Sequence, residues 1–230
     1  MDNLQPPYRI PDLGRAHLAR VVAVNDPDAL NRVQIRLLSG DGVDGQDAPL
    51  WARVATPMAG QDRGAFFIPD VDDEVLVVFV DGDRRFPVVV GSLWNGHDQA
   101  PETLGGSGDS VDRWSITGKA GTRIAIVEES AGQETVMIET PGGVSVTITD
   151  QGGGKVEVEC SQNTITIDSS GVSVQSSGSV QVNASSVTIS SGSVSVNTGM
   201  ATFSGVVQCS TLIATSVVSG SYTLGAGNVL

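Results

Sequence analysis

Apolar and polar positions alternate with a period of two through most of this chain, the spacing that puts every second side chain of a strand on one face. From His17 to Asn95 the alternation comes in five short runs, Leu18 to Val24, Val33 to Leu38, Leu50 to Val54, Glu74 to Val80 and Pro87 to Leu93. Turn residues separate them. Asn25-Asp26-Pro27-Asp28 follows the first run, and Asp81-Gly82-Asp83 joins the fourth to the fifth, a hairpin signal. Longer strands are predicted over Arg113 to Ile116, Thr122 to Glu128, Glu134 to Thr140 and Gly143 to Thr149. Beyond them the pattern contracts to a repeat: Val172-Ser173-Val174, Val180-Gln181-Val182, Val187-Thr188-Ile189 and Val194-Ser195-Val196, with Ser/Gly breaks between.

Five strands in some eighty residues predict a small Greek-key barrel of the OB type. The repeat predicts something else. Its steps of seven or eight residues leave room for one strand and one tight turn, whereas a solenoid wound by a single chain needs roughly 20 residues per coil. Three chains, each giving one strand per layer, close a prism with a dry Val/Ile interior and no free edges. The expected fold is therefore all-β, an N-terminal OB-fold barrel followed by an intertwined triple-stranded β-helix needle in a homotrimer. Its core would hold Val172, Val174, Val180, Val182, Val187, Ile189, Val194 and Val196. The expected divisions are an arm (1–14), the barrel (15–97), a Gly/Pro/acid-rich linker (98–112), neck strands (113–150), the β-helix (151–205) and a tip (206–230) with looser spacing.

Charge is confined to the first part. The 230 residues carry a net charge of −13, all Lys and Arg lie at or before Lys155, and from Ser161 onward Asp168 is the one ionisable carboxylate or base. An acidic chain lacks the Lys and Arg that neutralise phosphates, so nucleic acid is not an expected partner. Cys160 and Cys209 fall in phase with apolar neighbours and read as buried free thiols rather than a disulfide. The start of the chain has no basic region followed by an apolar core, which predicts synthesis and retention in the cytoplasm until export. The longest clear apolar run, Val75 to Val80, is too short to span a bilayer as a helix.

Candidate chemistry is thin. His17 and His97 stand eighty residues apart without ligand-spaced partners. The acid run Asp70, Asp72, Asp73, Glu74 reads as a solvated turn, and no serine lies in a nucleophile elbow. No catalytic residue, cofactor or metal is assigned.

The stretch Phe67 to Gly96, reading FIPDVDDEVLVVFVDGDRRFPVVVGSLWNG, resembles the signature of the VgrG and phage baseplate assembly protein V family, in which this hairpin closes an OB barrel. Ser115 to Ile124 followed by Ile138 to Gly143 is similar to the family's neck. Asp72-Asp73 stands where the family has a Gly before Asp-Glu-Val. The resemblance implies a minimal central spike of a contractile injection machine (a phage tail, type VI apparatus or extracellular relative). Its barrel docks on a separately encoded hub and tube, and its needle leads penetration of a target envelope from an assembled or ejected particle. A metal-holding His-x-His pair of the kind some phage spikes carry at the tip is absent from the C-terminal stretch. Tyr222, Leu224, Val229 and Leu230 are expected to form an apolar platform for a PAAR-like cap or effector, and the loop Thr56 to Ala65 and the arm are expected hub contacts. The alternatives are a trimeric tailspike enzyme cleaving surface polysaccharide, which needs clustered acids and aromatic platforms, and a trimeric adhesin.

Overall fold

The computed structural model describes residues 15–38 and 48–220. They divide into two units, one ending at Ser179 and one beginning at Val180. The first unit starts with β1 (His17–Ala23), β2 (Val33–Leu37), β3 (Leu50–Val54), a two-residue ladder β4 (Ala59–Gly60) and β5 (Arg63–Gly64), β6 (Glu74–Phe79) and β7 (Pro87–Leu93). Five of these close a barrel in the order β1-β2-β3-β7-β6. Every contact in it is antiparallel except β3 with β7, where Arg53 pairs with Val88 and Val54 with Val89. That closure of a Greek key by one parallel pair is the OB arrangement.

The period-two pattern decides which residues fill the barrel. Ala19 and Val21, Val33 and Ile35, Ala52, Val75, Val77 and Phe79, and Val89 point inward and are buried. Their strand neighbours point out. β6 turns into β7 through Asp81 (φ 52°) and Gly82 (φ 71°), both left-handed as a type I′ turn requires, and the amide of Asp83 donates to the carbonyl of Val80 at 3.0 Å. The loop after β1 is held by one side chain. Asp26 accepts the amides of Asp28, Leu30 and Arg32 at 3.1 Å each, and the Arg32 guanidinium at 2.7 and 2.9 Å, which holds its carboxyl well below the usual range.

A seven-stranded sheet follows: β8 (Arg113–Thr117), β9 (Arg123–Val127), β10 (Thr135–Glu139), β11 (Val144–Thr149), β12 (Lys155–Cys160), β13 (Asn163–Asp168) and β14 (Gly171–Gln175). Each strand pairs antiparallel with the next. The four longer strands read from sequence match β8 to β11 within a residue or two. Residues 98–112, read as a linker, are tied to the sheet: Glu102 accepts Arg123 at 2.8 and 2.9 Å and Arg113 at 3.2 Å.

The second unit differs. None of its described residues, 180–220, lies in a strand. Its Ser/Gly breaks do form bends, centred near Ser185, Gly192 and Gly199 and then near Gly205, Ser210, Thr215 and Gly220, and two carry local hydroxyl bonds, Ser191 with Ser193 and Thr198 with Met200. Segments that lie in no ladder are what one chain of a three-chain ladder looks like alone.

Candidate functional site

The cross-strand register of the second sheet lines up apolar side chains in two rows. One runs Trp114, Ile126, Val136, Ile148, Val156, Ile167, Val172; the other runs Ile116, Ile124, Ile138, Val146, Val158, Ile165, Val174. Partners in register share a face, so fourteen apolar side chains occupy one face with no polar interruption. The opposite face carries Thr117, Arg123, Glu139, Thr147, Glu157, Thr166 and Ser173. The apolar face is uncovered within the chain: Trp114 is 52% exposed and Ile165 43%. A soluble chain does not leave such a patch to water.

Val172 and Val174 end these rows on β14, while Val180, Val182, Val187, Ile189, Val194 and Val196 stand exposed in the second unit. Tyr222, Leu224, Val229 and Leu230, like the arm 1–14, lie outside the described residues. The sequence reading placed the apolar core at the repeat and treated 113–150 as transition, but the two rows begin at Trp114. The i, i+2 apolar pairs from Trp114-Ile116 to Ile148 were the signal. Cys160 corrects another expectation: it and Cys209 are exposed rather than buried. Cys160 is in register with Val144, on the face that this chain by itself cannot cover.

The barrel's two ends differ. Strands β1, β3 and β7 run the same way, so Ala23, Val54 and Leu93 share an end with the start of β6. The β8–β9 turn sits at that end, where Lys119 pairs with Asp70 and keeps the Asp70 carboxyl below its ordinary range. A cavity of about 1030 Å³ there is lined by Arg20, Asp70, Asp73, His97, Asp98 and Lys119 among others. The acid run is structural. Asp73 accepts the Asp70 amide at 2.8 Å, Asp72 donates its amide to Val21 at 2.9 Å, and Glu74 accepts Asn95 at 3.0 Å. The loop Thr56 to Ala65 belongs to this same end, whereas the β6–β7 turn with Arg85 and Phe86 marks the other.

On the outer side of the sheet, Glu102 is only 15% exposed between its two arginines. Hydrogen bonding from Arg123, then Ser115, with further help from Arg113, lowers its pKa to about 2. Arg113 also pairs with Glu129, and Arg123 with Glu139 at 3.3 Å. His17 packs edge-on against Phe79, ring centres 5.3 Å apart, and His97 lies 3.2 Å from Asp98. Among the described residues no three His, Cys, Asp or Glu side chains are grouped to hold a metal, and no helix is long and apolar enough to cross a membrane.

Comparison with known proteins gives two domain matches. Residues 17–94 match the type VI secretion system/phage-baseplate injector OB domain, and residues 135–202 match the phage baseplate V C-terminal trimerisation domain. Among similar curated proteins are the type VI secretion system spike proteins VgrG1a of Pseudomonas aeruginosa, 30% identical over 77 residues (34% of this chain, 12% of the relative), VgrG5 of the same organism, 34% identical over 90 residues (38% and 11%), and VgrG3 of Vibrio cholerae, 39% identical over 54 residues (24% and 5%). The matched part thus spans about a tenth or less of these relatives. With an injector OB barrel leading into a baseplate V trimerisation domain, the chain belongs to the phage baseplate V and VgrG spike family.

Proposed function

We propose that this chain is the structural central spike of a contractile injection machine, working as a homotrimer. The observation that carries the reading is the uninterrupted apolar face from Trp114 to Val174, followed in sequence by exposed Val/Ile dyads in segments that, among the described residues, lie in no strand. Three copies bring the faces together around one axis and supply the strand partners that residues 180–220 need. Val172, Val174, Val180, Val182, Val187, Ile189, Val194 and Val196 then form the inner column of an intertwined β-helix. The result is a closed, nearly uncharged rod suited to axial load.

In this reading the barrel docks on hub and tube proteins and the needle leads through the target envelope, outside the cell that made it. Docking uses the barrel end away from the neck, because the neck turn occupies the other. Tyr222, Leu224, Val229 and Leu230 remain the proposed seat of a small capping protein, tested by whether truncation after Ser219 abolishes binding of a candidate cap. The role is mechanical rather than catalytic.

Light scattering paired with gel mobility before and after boiling in detergent tests the proposal. The expected mass is about 71 kDa, three times the 23.7 kDa chain, with a trimer band that survives unboiled detergent. A 23.7 kDa species at working concentration would sink it and reopen the tailspike and adhesin readings.

A further inference from the structure

At the neck end of the barrel a groove of about 630 Å³ lies between the β1–β2 loop, the end of β3 and the connection that follows it. Leu30 (63% exposed), Met58 (58%), Phe66 (73%) and Phe67 (59%) line it. Two large aromatics, a Met and a Leu side by side in water are the composition of a protein-binding surface rather than of solvated loop. The groove is also held in shape. Thr56 donates its hydroxyl to the Ala65 carbonyl at 2.6 Å, and the Ala65 amide donates to Met58 at 3.0 Å, so the surface needs no ordering before it binds.

Two features name the occupant. Arg53 and Arg63 line the groove against the single acid Asp62 and are exposed, and among the described residues neither is paired with a carboxylate, a surplus of one positive charge on a chain of −13. Residues 98–139 carry the opposite surplus, eight acids against Arg113, Lys119 and Arg123. Of these acids, Asp109 and Glu128 form no ion pair among the described residues, and one carboxylate oxygen of Glu134 is buried without a hydrogen bond. Position agrees with charge, since Ile68 lines both this groove and the cavity that holds the β8–β9 turn. The groove therefore adjoins the cavity at the neck turn.

We infer that this groove is a second interchain interface, which seats the acidic strap-and-neck surface of the next copy. The inference rests on the trimeric reading and adds to it. The groove and the acidic surface are different patches of one chain, and a head-to-tail contact of that kind closes into a ring under a threefold axis. The barrels would then be locked to one another through the necks, not merely carried on the needle.

Hydroxyl-radical footprinting of the intact full-length protein, read by mass spectrometry, tests this with Phe86 as the internal reference: it is 53% exposed in the chain and lies at the opposite barrel end. In the trimer, Met58, Phe66 and Phe67 are expected to be labelled about tenfold more slowly than Phe86, as for side chains at the dry centre of an interface. The double variant Arg53→Glu, Arg63→Glu should restore their labelling to the Phe86 rate while the mass stays at that of a trimer. A wild-type trimer whose Phe66 and Phe67 label as fast as Phe86 overturns the inference and leaves the trimeric reading standing. A wild-type monomer overturns both.

Discussion

Single residues set the joints of this molecule. Asp72 adopts φ 75°, a left-handed conformation that costs an L-residue about 1–2 kcal/mol and is cheaper for Asp than for most. The family resemblance put a Gly in this neighbourhood, and the backbone explains why. Asp72→Gly is expected to raise the unfolding free energy by about 0.5 kcal/mol, because relief of strain outweighs added freedom in the unfolded chain; the urea midpoint checks it. Glu102 makes a second joint. Its pKa is depressed from 4.5 to about 2 in the folded chain, so its contribution is present above pH 4.5 and is lost as pH falls from there toward 2. Proteolysis or hydrogen exchange of residues 98–112 should therefore quicken over that window in the wild type. Glu102→Gln should leave the segment loose at neutral pH and flatten the profile, while an unchanged wild-type profile would show that the strap is held by other contacts. The acid run was legible in the sequence as a turn. Glu102 was not, since only tertiary contact brings Arg113 and Arg123 to it.

Elements follow the two-residue period closely. β3 and β7 begin and end where the alternation does, and β1, β2, β6 and β8–β11 within a residue or two. The faces of β8–β14 provide a sharp test because neighbouring residues have opposite fates. Ile165→Asp puts three carboxylates per trimer into an apolar interface, each costing more than the about 2–7 kcal/mol of an unpaired neutral polar group, and should yield monomer by light scattering. Thr166→Asp, one residue on and facing outward, should leave the trimer intact. Equal behaviour of the two variants would mean that the apolar face is not the interface. Past Gly199 the bends come five or six residues apart instead of seven, and the apolar dyad survives as Val207-x-Cys209 and Leu212-x-Ala214 but is lost at Val217, where Ser219 takes the second place.

At the scale of the whole molecule, stability belongs to the assembly. A chain with fourteen apolar side chains on one sheet face, eleven of them exposed, and no strand among its described residues from Val180 onward gains its core from other copies. Folding and association are then one process, and mass action makes the melting temperature rise with protein concentration. Calorimetry over a hundredfold range of concentration checks this. A melting temperature that does not move, with a mass that stays monomeric, would place the stabilising contacts within one chain. The barrel has its own buried core, so a second transition is expected from it.

The sequence by itself determined the strands, the all-β class, the five-stranded barrel and the need for partners, because a two-residue period and its turn residues are local properties that hydrophobic burial reads directly. Only the tertiary structure decided that the apolar positions from Trp114 to Val174 align in register into two uninterrupted rows, that residues 98–112 are a strap clamped by Glu102, and that the loop Thr56 to Ala65 shares an end with the neck. Those depend on cross-strand register and on side chains distant in sequence, which no local pattern encodes.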